Sequence, residues 1–89
     1  MALIDLIGRR WVLRILWELR GEPLTFRALQ EACGGVSPSV LNQRLTDLRE
    51  TSLVEAGGDG YALTGLGREL LEQLTPLTVW AETWAKTLR

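Results

Sequence analysis

Apolar residues recur at helical spacing along the first quarter of the chain. Within LIDLIGRRWVLRILWELRG, Val12, Ile15, Leu16 and Leu19 fall at i, i+3, i+4 and i+7. The spacing predicts a helix, with Gly21 as its stop signal. Gly8 is expected to separate that helix from an N-terminal arm, residues 2–7. Leu24 reads as extended, and Thr25 can cap a short helix over 26–33 with Phe26, Leu29 and Cys33 facing inward. A GGV turn follows. Ser37 then stands as an N-cap with Pro38 at N1, where its missing N–H costs nothing. Strands are expected over 52–56 and 61–63, joined by the reversal GGDG. Thr64 can cap a last helical stretch from Gly65. Pro76 removes an amide donor inside that stretch, which predicts a kink or break near Thr75. Beyond it, Leu77, Trp80, Trp84 and Leu88 form one apolar stripe.

Two helices joined by a tight glycine turn, followed at once by a hairpin, make a winged helix-turn-helix. The fold class expected is therefore mainly α with a small β-hairpin. The helix over 37–50 carries the informative asymmetry. At about 100° per residue, Leu45 and Leu48 lie within roughly 40° of Leu41. Ser39, Gln43 and Thr46 point the opposite way, with Val40 and Asn42 to either side. A helix that only filled a core would not need this small, polar outer face. Such a face fits a major groove roughly 12 Å wide, where amides and hydroxyls meet base edges.

Composition narrows the chemistry. The 89 residues fit one domain, 1–89, near the lower end of what folds alone. There is no histidine and a single cysteine, Cys33, so neither a metal cluster nor the commonest general base is on offer. The protein is accordingly not read as an enzyme, and no cofactor is expected. No apolar run is long enough to cross a bilayer, and the opening MALIDLIGRR lacks the features of a secretory signal. One cysteine excludes an internal disulfide framework and fits the cytoplasm. Net charge is −1, but residues 9–49 hold seven arginines against four acids, while residues 50–89 hold three basic residues against six acids. The cationic half is the half that contains the two joined helices.

LIGRRWVLRIL, GEPLTFRALQEA, GVSPSVLNQRLTDLRETSLVE, YALTGLGRELL and LTVWAETW resemble, in order and spacing, the HxlR-type winged-helix regulators, which are bacterial MarR-like transcription factors. The resemblance spans nearly the whole chain. Its most specific parts are the Ser-Pro-x-Val-Leu-x-x-Arg-Leu run, the Tyr-x-Leu-Thr-x-x-Gly run and the paired tryptophans 80 and 84. It implies a helix-turn-helix over 26–50 with its recognition helix at 37–50, a wing over 53–64, and a C-terminal dimerisation region over 65–89 that works with the N-terminal arm. The function implied is a sequence-specific DNA-binding regulator, a homodimer on a two-fold operator in the cytoplasm.

On this reading the residues expected to contact double-stranded DNA are Arg27, Ser37, Ser39, Asn42, Gln43 and Arg44. Those expected at the dimer interface are Leu3, Leu6, Ile7, Leu77, Trp80, Trp84 and Leu88, which are too apolar for a monomer's surface. Some winged-helix regulators bind flat aromatics between subunits, and Trp80 and Trp84, one turn apart, could stack on such an effector. The chain departs from the family pattern in four places. The N-terminal cysteine that senses oxidants in many members has no counterpart here. Ser39 and Thr46 replace common Lys or Arg. The wing is short and acidic, and Pro76 interrupts a helix that is usually continuous. The uncharged reading face and acidic wing also keep open an alternative, a winged-helix protein-interaction or anti-repressor module.

Overall fold

The computed structural model describes residues 2–88, with element order α1 (Ala2–Ile7), α2 (Val12–Glu18), α3 (Phe26–Cys33), α4 (Pro38–Glu50), β1 (Val54–Gly57), β2 (Gly60–Leu63) and α5 (Gly65–Thr87). Local capping signals set most of these boundaries. Thr25 accepts from the Ala28 N–H at 3.1 Å and starts α3, and Gly34 closes it in the left-handed region. Ser37 accepts from the Val40 N–H at 3.3 Å to start α4, with Pro38 in its first turn. Thr64 accepts from the Gly67 N–H at 3.0 Å and starts α5.

Four features differ from the sequence expectation, besides a one-residue extension of each strand at the turn, to Gly57 and Gly60. The N-terminal arm is itself helical; the break after it begins at Gly8, as expected, and runs on to Trp11, which caps α2 in the left-handed region (φ 78°). A left-handed tryptophan costs about 1–3 kcal/mol. Packing of the half-buried indole against the core, with the Arg10 guanidinium 5.5 Å from its centroid, opposes that cost. Second, α2 ends at Glu18, short of Gly21: Leu19 is its C-cap (φ −88°, ψ 6°), its N–H still bonded to the Ile15 carbonyl at 3.0 Å. Third, β1 begins at Val54 instead of Ser52. Ser52 adopts φ 63°, and the Leu53 N–H returns to the Leu48 carbonyl at 2.9 Å. Fourth, Pro76 does not break α5, which runs as one element from Gly65 to Thr87. Pro76 and Glu72, whose carbonyl loses its amide donor, are both exposed, so water can take the donor's place.

The hairpin is antiparallel with register Val54↔Leu63 through Gly57↔Gly60, and Leu24 joins it through paired hydrogen bonds to Tyr61 of 2.9 and 2.7 Å. Gly60 is required at that junction: a Cβ there would stand 2.3 Å from the Leu24 carbonyl oxygen, and its φ is +109°. The core lies where the helices meet the base of the wing. Val12, Ile15, Leu16 and Leu19 of the α2 segment pack with Leu29, Leu41, Leu45, Leu48, Val54 and Leu63, all buried. Burying each of these larger aliphatic side chains contributes roughly 1.5–3 kcal/mol. The architecture is thus a helix-turn-helix, α3 and α4, followed directly by a two-stranded wing. No helix among the described residues is long and apolar enough to cross a membrane.

Candidate nucleic-acid interface

With its leucine seam packed inward, α4 presents one face outward. Ser37, Ser39, Val40, Asn42 and Gln43 are exposed, while Leu41, Leu45 and Leu48 are buried. Ser37 Oγ serves as the helix cap and lies 3.5 Å from Ser39 Oγ. The Thr46 hydroxyl donates to the Asn42 carbonyl at 2.9 Å, so it is spent within the helix. Asn42 keeps its whole amide free of any side-chain partner among the described residues. Arg27, in the first turn of α3, is 89% exposed, and its only ion pair among the described residues is a loose 3.5 Å contact with Glu31 on the same helix. Screened surface pairs of this kind hold a guanidinium weakly, so Arg27 is available to a phosphate.

Gln43 and Arg44 are placed differently from Asn42. Both turn toward Asp47, which is only 8% exposed. Gln43 Nε2 donates to Asp47 Oδ1 at 3.0 Å. Arg44 Nε lies 3.6 Å from Asp47 Oδ2 with its side chain 22% exposed. Arg9, from the link between α1 and α2, brings Nη1 to 3.0 Å from the same Oδ2. Burial pushes the Asp47 carboxyl up. The Gln43 hydrogen bond and the Arg9 and Arg44 guanidiniums outweigh it and hold the group below its ordinary value. Asp47 was not among the sequence-predicted site residues. The signal that could have found it is local: Gln43 and Arg44 stand four and three residues before it, the spacing at which helical side chains meet.

At the tip of the wing, Gly58 and Asp59 are exposed and no basic residue accompanies them in β1 or β2. The thiol of Cys33 is buried inside the helix-turn-helix, and its pKa is raised, first by burial and then by Glu18, against a lowering by Arg14. A protonated, enclosed thiol is a poor nucleophile.

The residues expected at an interface divide. Leu6 is buried in this chain's own core, packed there by the fold of α1 onto α2, so it is a core residue and not part of an exposed seam. Ile7 is half-buried. Leu3, Leu77, Trp80, Trp84 and Leu88 are exposed, and the indoles of Trp80 and Trp84 stack at 6.0 Å with 6° between planes. Beside the stripe, Leu13, Trp17, Leu71, Leu74 and Ala81 line an apolar cleft of about 290 Å³ between α2 and α5.

Known proteins share this arrangement. The model of the family described as HxlR-like helix-turn-helix matches residues 6–89. An uncharacterised HTH-type transcriptional regulator of Methanocaldococcus jannaschii is 27% identical over 88 residues, covering 94% of this chain and 83% of its own length. The uncharacterised HTH-type transcriptional regulator YvaP of Bacillus subtilis is also 27% identical, over 91% of this chain and 82% of its own. The crystal structure of quinone-bound YodB from B. subtilis superposes with a TM-score of 0.87 at 28% identity, covering 92% of this chain and 93% of that one. With a winged helix-turn-helix in place, a polar outer face on α4 and a family match over nearly its whole length, the chain belongs to the HxlR-like helix-turn-helix family of transcriptional regulators, not to an enzyme family.

Proposed function

We propose that this chain is a sequence-specific regulator that acts in the cytoplasm as a homodimer on a two-fold operator, each protomer laying α4 in a major groove. The observation that carries this reading is the exposed, small and polar outer face of α4, together with the exposed Arg27 in the first turn of α3. Asn42 and Gln43 are the base-edge readers. Ser37 and Ser39 meet the backbone at the start of the helix, where the Ser39 N–H is the donor left over, since Pro38 has none and the Val40 N–H is taken by Ser37 Oγ. Arg27 and the Arg9–Arg44 pair supply the cations that position the duplex. Leu3, Leu77, Trp80, Trp84 and Leu88 form the dimer seam, their apolar surface buried against a second copy.

Selection of duplexes from a random pool tests the proposal. A pseudo-palindromic site should emerge with half-sites one helical turn apart, and Asn42→Ala should relax its base preference. If no duplex is enriched even at low salt, direct reading of DNA is refuted. The protein-interaction alternative then stands; the acidic wing tip and the engagement of Gln43 and Arg44 by Asp47 are what favour it. A flat aromatic effector is assigned to the apolar cleft beside the stripe, by analogy with the quinone carried by YodB. Its test is quenching of tryptophan fluorescence by a quinone, which Leu13→Arg should abolish.

A further inference from the structure

Asp47 is the only polar side chain among the described residues that lies in the buried class. A buried carboxylate is costly unless donors surround it, and a leucine would fill the same space at no such cost. Its partners are not scattered. Gln43, on the reading helix itself, donates to Oδ1, while Oδ2 faces the guanidiniums of Arg44 on the same helix and of Arg9 from the α1–α2 link as ion pairs.

We propose that Asp47 is a positioning residue of the reading head: it locks the Gln43 amide in one orientation, so that Gln43 reads adenine and rejects guanine. This rests on the DNA-reading function proposed above. An ionised carboxylate can only accept hydrogen bonds, so the amide nitrogen of Gln43 must face it and the flipped amide is repelled. One of the two N–H groups is thereby committed. The remaining N–H and the carbonyl oxygen stay on the exposed side, a donor beside an acceptor. That pair complements the N7 acceptor and N6–H donor of adenine in the major groove. Guanine offers two acceptors there, N7 and O6, and a glutamine with a single free N–H cannot satisfy both. Asp47 also cancels one of the two charges of Arg9 and Arg44, restraining sequence-independent attraction to phosphate.

The test is a double-mutant cycle on a selected duplex, measuring the ratio of affinities for adenine and guanine at the position Gln43 reads, together with the salt dependence. In wild type and in Asp47→Asn, folding is checked by circular dichroism. Asparagine at this position can donate as well as accept, so the Gln43 amide is no longer held one way. The adenine preference, roughly 5- to 150-fold for a bidentate pair, should fall toward unity. Freed arginines should tighten binding to random duplex and steepen the salt slope by about 0.9 per released cation. In a Gln43→Ala background, whose fold is checked in the same way because the change removes a hydrogen bond from Asp47, the preference should already be gone, and Asp47→Asn should alter the salt slope alone. Three results overturn the inference. Asp47→Asn with full adenine preference does so while leaving the regulator reading intact, as does a Gln43→Ala variant that keeps that preference. A wild-type protein that distinguishes no sequence overturns both readings together.

Discussion

Replacing Gly67 by alanine is expected to destabilise the protein by about 2–3 kcal/mol, although alanine is the better helix former. Gly67 lies in the first turn of α5, and a Cβ added there would stand 2.1 Å from the Leu53 carbonyl oxygen. Real Cβ atoms do not approach a backbone oxygen closer than about 3 Å, so one of the two segments must shift by roughly 1 Å. The carbonyl is not free to move, because it accepts the Thr64 N–H at 3.1 Å and marks where the chain enters the wing. Overpacking of this kind costs typically 1–3 kcal/mol. Loss of the Thr64 bond adds about 1 kcal/mol, and the gain in helix propensity returns roughly 0.5–1 kcal/mol. For a domain of this size the melting temperature should drop by roughly 10–20 °C. Thermal and urea melts of Gly67→Ala beside Gly65→Ala make the assay. Nothing lies within 4 Å of a Cβ at Gly65, so that control should be neutral or slightly stabilising. A Gly67→Ala protein as stable as wild type would refute the account of how α5 is seated on the wing.

The apolar stripe of α5 predicts self-association. Wild type should sediment as a dimer at tens of micromolar, and Trp84→Glu should shift it to monomer; an unaffected dimer contradicts the assigned seam. The buried, raised thiol of Cys33 predicts indifference to mild oxidants, so diamide should leave DNA binding nearly unchanged, and a loss rescued by thiol would make it a redox switch. Because the Asp47 carboxyl is held below its ordinary value in the folded protein, it stabilises the fold above that ordinary value. That contribution is lost as pH falls below about 4 and through the lowered folded value. Urea melts against pH should therefore show a steeper acid loss for wild type than for Asp47→Asn, and parallel profiles would show that the carboxylate is not stabilised by its donors.

What could be read from the sequence was what neighbouring residues decide. Thr25, Ser37-Pro38 and Thr64 announce helix starts through contacts three residues away, and α3, α4 and α5 begin where those signals stand. The leucine seam of α4 needs only the helical period. The left-handed Trp11 carries no local signal, since nothing in its neighbours favours positive φ and only the core holds the indole there. Leu6 looks like any other apolar residue of the arm until α1 folds back on α2. Pro76 is a valid local warning, overridden because the carbonyl it deprives is exposed. Asp47 is the most consequential case. A helical wheel puts it beside Arg44 on the border of the leucine seam, where a carboxylate ordinarily meets water. One of its partners, Arg9, stands thirty-eight positions earlier in the chain, so no local signal announces that pair.

The central claim is that α4 reads DNA with few cationic partners, and a salt titration on one selected duplex tests it most directly. On the proposed function, Arg27 would supply one phosphate contact per protomer and the Arg9–Arg44–Asp47 group, with a net charge of +1, would supply another. Four contacts in a dimer at about 0.9 each give a slope of log K against log salt near −4. Asp59→Lys, at the exposed wing tip, should raise affinity and steepen the slope by about 2. A slope near −4 on a site preferred well above random duplex is the predicted result; binding no stronger than background at low salt would contradict it.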